Sequence, residues 1–60
     1  MIEYKLMYNC YDGQGDHEYS IRHFLEEILR DKAYVDEFIV NEKGQSWILE
    51  REVTEWRVIN

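Results

Sequence analysis

Ser20 to Asp31 reads SIRHFLEEILRD, and its apolar residues are Ile21, Phe24, Leu25, Ile28 and Leu29. They recur at i, i+3, i+4, i+7 and i+8, the period of one face of an α-helix. Ser20 stands immediately before the run and is a residue type that caps helix N-termini, with Asp16 as an earlier alternative. Arg22, Glu26, Glu27, Arg30 and Asp31 fall on the opposite face, where Glu26 and Arg30 have the favourable i,i+4 order. A helix over this stretch is about 18 Å long, close to the length of a short strand. One such helix covers one face of a small sheet.

The flanks supply the sheet. Ile2, Tyr4, Leu6, Tyr8 and Cys10 alternate with Glu3, Lys5, Met7 and Asn9, which predicts a strand with one apolar face. The segment Asp12-Gly13-Gln14-Gly15-Asp16 ends it in turn-forming residues. Val35 to Val40 reads as a second strand, and Trp47 opens a third. The turn between them has two solutions. A type I turn from Asn41 with Gly44 left-handed sets Phe38 opposite Ile48 and Asp36 opposite Glu50. A two-residue Lys43-Gly44 loop sets Val40 opposite Trp47, Phe38 opposite Leu49 and Asp36 opposite Arg51. The second avoids opposed like charges and is preferred.

Towards the end of the chain, Trp47, Leu49, Arg51 and Val53 share one parity, whereas Trp56 and Val58 have the other. One extra residue near Thr54 or Glu55, as in a β-bulge, restores the register. The expected fold is therefore α+β: one amphipathic helix on a three- to four-stranded, mainly antiparallel sheet, in the order β-α-β-β(-β). Sixty residues allow a single domain. A chain of this size buries only about 60% of its unfolded surface and commonly needs reinforcement. Cys10 is the only cysteine, so no internal disulfide provides it, and homodimerisation is the expected route.

Composition narrows the function classes. Apolar residues make up 45% of the chain and aromatics 15%, the content of a folded protein. A net charge of -6 is the reverse of the basic footprint of nucleic-acid binders, so direct nucleic-acid binding is not expected. Met1 leads straight into strand-like alternation without a secretory leader, and no apolar run approaches the ~18 residues that span a bilayer. A cytoplasmic location without membrane attachment is expected.

Chemical motifs are weak. The Asp12–Asp16 segment resembles the start of a calcium loop, but His17 replaces the glycine and His23 the final glutamate. Cys10, His17 and His23, with Asp16, are zinc-ligand types without a zinc spacing. Cys10 with either histidine is the one candidate nucleophile pair of a small metal- or cysteine-dependent enzyme or sensor. Its parity with Leu6 and Tyr8 makes a core position the simpler reading. No cofactor and no enzymatic activity are expected.

If Phe38, Val40, Trp47, Leu49, Val53, Trp56 and Val58 face the helix, the reverse face carries Glu37, Ile39, Ile48, Glu50, Glu52 and Glu55. Two isoleucines rimmed by carboxylates form a candidate contact surface for a partner protein with a basic surface. The sequence reading is thus a non-enzymatic module that masks a surface of another protein. Accessory proteins of phages and mobile elements that inhibit a host enzyme or defence system are of this kind. A structural subunit of a larger assembly is the alternative.

Overall fold

The computed structural model describes residues 2–10, 15–40, 43–52 and 55–60. The chain forms β1 (Glu3–Asn9), β2 (His17–Arg22), α1 (Leu25–Ile39), β3 (Gln45–Arg51) and β4 (Arg57–Val58). The strands make one antiparallel sheet in the order β2-β1-β3-β4, with α1 across one face. The α+β architecture agrees with the sequence reading. The chain order does not: two strands precede the helix, where one was expected.

The difference begins at Ser20. Ser20 to Arg22 belong to β2, opposite Leu6 to Tyr4, and the helix starts at Leu25 behind Phe24. Phe24 makes no side-chain capping bond, so the N-cap assigned to Ser20 is corrected. The serine hydroxyl instead donates to Asp31 Oδ2 at 2.7 Å and ties β2 to the helix.

A second correction lies at the helix end. Val35 to Ile39, expected as a strand, continues α1, with Val40 just beyond it. Ile28, Val35 and Ile39, at i, i+7 and i+11, are the buried helix residues. The β-branched content of this stretch favours a strand by only tenths of a kcal/mol per residue, less than the burial of Val35 and Ile39 contributes.

Lys43 and Gly44 do turn the chain, but from helix to strand. Lys43 is left-handed at φ 55°, and the Gly44 N–H donates to the Ile39 carbonyl at 3.2 Å. A Cβ on Gly44 would lie 2.3 Å from the Asn9 carbonyl oxygen, so only glycine fits here. The expected pairing of Val35–Val40 with the Trp47 strand is absent, since β3 pairs with β1 from Glu3↔Arg51 to Asn9↔Gln45. The remaining Asn41–Glu42 turn positions and the bulge position Thr54 lie outside the described residues.

The core is small. Leu6 and Ile48, cross-strand partners on β1 and β3, meet Ile28, Val35 and Ile39, with Tyr4, Tyr8 and Cys10 packed around them. The apolar face expected for the first strand is therefore the core face. Phe24, Leu25 and Leu29, expected to be buried, are exposed, because the buried helix stripe centres on Ile28 and Val35. No helix among the described residues is long and apolar enough to cross a membrane.

Candidate functional site

Sheet parity decides which side chains are available. Ile48 faces the helix opposite Leu6, so Trp47 and Leu49 point to the other side. This reverses the sequence reading, which placed Trp47 and Leu49 inward on the strength of a pairing with Val35–Val40. The six residues of the expected contact surface are consequently scattered. Ile39 and Ile48 are 2% and 0% exposed, in the core. Glu37 is on the outer surface of α1, Glu50 pairs with Arg57 at 3.0 Å, and Glu52 and Glu55 lie past the end of β3. They do not form one face.

Nor does the structure bring the two histidines together. Cys10 packs beside the core just after β1. His17 begins β2 and lies against Tyr8, with ring centroids 5.3 Å apart. His23 is beyond the other end of that strand, about 20 Å away at ~3.3 Å per residue. The described residues contain no group of three or more His, Cys, Asp or Glu side chains able to hold a metal. Asp12, Gly13 and Gln14 of the calcium-like segment lie outside the described residues.

Two surfaces stand out instead. The first is the sheet face opposite the helix. One row across it runs Ile21, Lys5, Leu49 and Val58, one from each strand, and a second pairs Met7 with Trp47. Trp56 lies over the same face, with Lys5 Nζ and Arg51 Cζ each 4.4 Å from its ring. Both cations are held in turn by carboxylates, Lys5 by Glu18 at 3.5 Å and Arg51 by Glu3 at 2.8 Å. Each cation–π contact at such a site contributes about 0.5–1 kcal/mol. Among the described residues, no further element packs on this face.

The second surface is aromatic and lies where β2 meets the helix. Tyr8 contacts Tyr19 at 6.5 Å and Phe38 at 6.1 Å, and Tyr34 closes the circuit at 6.3 Å from each of those two. Tyr34 is 61% exposed, Phe38 48% and Tyr19 41%. A bulge builds this corner. Leu6 faces Ser20 while Met7 faces Glu18, so Tyr19 is the extra residue. Both Tyr19 and Ser20 thereby serve the helix side, one through Tyr34 and the other through Asp31. Tyr34 and Phe38 are i,i+4 on a helix, a spacing present in the sequence but hidden once Val35–Val40 is read as a strand.

Two carboxylates anchor the helix over the sheet. Asp31 accepts from Ser20 and from Arg22 Nε at 2.8 Å, and Asp36 accepts from Ser46 and from Lys32 at 2.9 Å. Partial burial works to raise both pKa values, but it is outweighed. Bonds from Arg22 and Ser20 bring Asp31 below the ordinary carboxylate value, and bonds from Ser46 and Lys32 do the same for Asp36. These groups are held ionised and serve to position α1 and, through it, Tyr34 and Phe38. No family model matches the chain, and no curated protein or solved structure is significantly similar to it.

Proposed function

We propose that the protein is a non-catalytic binding module that acts by covering a surface of another protein, as an inhibitor of an enzyme or defence system would. The observation that supports this reading is the exposed circuit of Tyr19, Tyr34 and Phe38 around Tyr8. Aromatic side chains lose little conformational entropy on contact and supply most interface hot spots. Here they sit on a helix and a strand that Asp31 locks together, so the surface is rigid before binding. Glu37 lies beside Phe38, and the chain carries a net charge of -6, so the partner presents a basic rim around an apolar centre.

Photocrosslinking in the native host tests this. With benzoylphenylalanine in place of Tyr34, ultraviolet light should give one discrete adduct whose added mass is not that of a second copy. The same group at Glu26, exposed on the helix away from the rings, should give none. No adduct at Tyr34, or equal labelling at both positions, would remove the aromatic corner as a partner site.

A further inference from the structure

We infer that the sheet face opposite the helix is the interface of a homodimer, two copies packing face to face through Met7, Trp47, Leu49, Trp56, Ile21 and Val58. The inference goes beyond the partner-binding reading and stands apart from it, because the aromatic corner lies on the other side of the sheet. Three observations select a second copy as the occupant.

The first is charge. The chain is at -6, yet among the described residues this face carries the pairs Glu3 with Arg51 and Glu18 with Lys5, and one further acid, Asp16, bonded to Asn9 at its edge. A copy approaching here meets a nearly neutral surface, and the paired acids leave a basic partner little free carboxylate to recognise.

The second is the size of the core. Among the described residues only Leu6, Ile28, Val35, Ile39 and Ile48 are fully buried, and none of them lies on this face. A domain this small is ordinarily reinforced by disulfides, a metal or self-association. With one cysteine, an internal disulfide is excluded. Covering Trp47, Leu49 and Val58 adds a second apolar layer.

The third is area. Four strands ~4.8 Å apart and ~3.3 Å per residue along them make a face of roughly 20 by 20 Å. Two such faces, each shortened at the two-residue β4, come to at most about 800 Å², the range of a weak, reversible contact. A twofold axis makes the patch its own complement, so one set of side chains serves both copies. A contact of this size fits a dimer in exchange with monomer.

The chain's only two tryptophans are both on this face, which gives a specific readout. Sedimentation equilibrium and acrylamide quenching of tryptophan emission should be followed together on the purified chain, from low micromolar to near-millimolar concentration. The expected result is a shift from monomer to dimer mass, with quenching falling several-fold over the same range. Val58→Arg, at a position 64% exposed in the monomer, should hold the protein monomeric with an unchanged circular dichroism spectrum. Tyr34→Arg, on the other side, should leave the dimer intact. A monomer at every concentration would overturn the inference. So would a dimer with unchanged tryptophan quenching, or one that Tyr34→Arg dissociates and Val58→Arg does not. Each of these outcomes leaves the crosslinking result at Tyr34 to stand or fall separately.

Discussion

Asp31 is the residue on which the helix position depends. It takes one bond from the strand hydroxyl of Ser20 and an ion pair from Arg22, two residues further along β2. Asp36 makes the equivalent connection to β3 through Ser46. Both carboxyls have folded-state pKa values below the unfolded value of about 3.9. Their contribution to stability is therefore complete above the unfolded pKa and is lost as pH falls through the lower, folded pKa. The expected outcome is an unfolding free energy that declines below about pH 4. Asp31→Asn combined with Asp36→Asn should lower stability at neutral pH and flatten that acid limb. Urea titrations at a series of pH values measure both effects. An unchanged acid limb in the double variant would show that these two carboxyls do not anchor the helix.

At the scale of elements, the helix is longer and starts later than its sequence signature. The run from Ile21 has perfect helical spacing, yet Ile21 points out of a strand and Phe24 only precedes the first helical residue. The competing information is non-local. Tyr4–Leu6 offers β2 a partner strand, and no local propensity reports that pairing. The true buried stripe shares only Ile28 with the expected one. Ile28→Ala should therefore cost about 2–5 kcal/mol, whereas Leu25→Ala, at a position 45% exposed, should cost under about 1 kcal/mol. Thermal and urea unfolding of the two variants side by side checks this. Equal losses would place the helix face where the sequence spacing alone puts it.

The first strand was legible because its alternation is complete and its apolar set is the one the helix covers. The outer hairpin position of Tyr19 was not, since a bulge breaks parity without leaving a mark in composition.

For the whole molecule, one fact organises the rest: which parity of β3 meets the helix. Alternation groups Trp47 with Leu49 and separates both from Ile48, but it does not say which group is inside. That is fixed by the cross-strand pairing of Ile48 with Leu6, more than half the chain away in sequence. The carboxylate-rimmed surface expected from the sequence dissolves for this reason, with Ile39 and Ile48 passing into the core. The tryptophans pass to the face opposite the helix, and the aromatic corner appears when Tyr34 and Phe38 join one helix. Comparing Ile48→Ala with Leu49→Ala in urea unfolding, at concentrations low enough to keep the chain monomeric, tests this parity most directly. The structure requires Ile48→Ala to lose about 2–5 kcal/mol and Leu49→Ala less than half as much. A larger loss at Leu49 would put the tryptophan face against the helix and contradict the account.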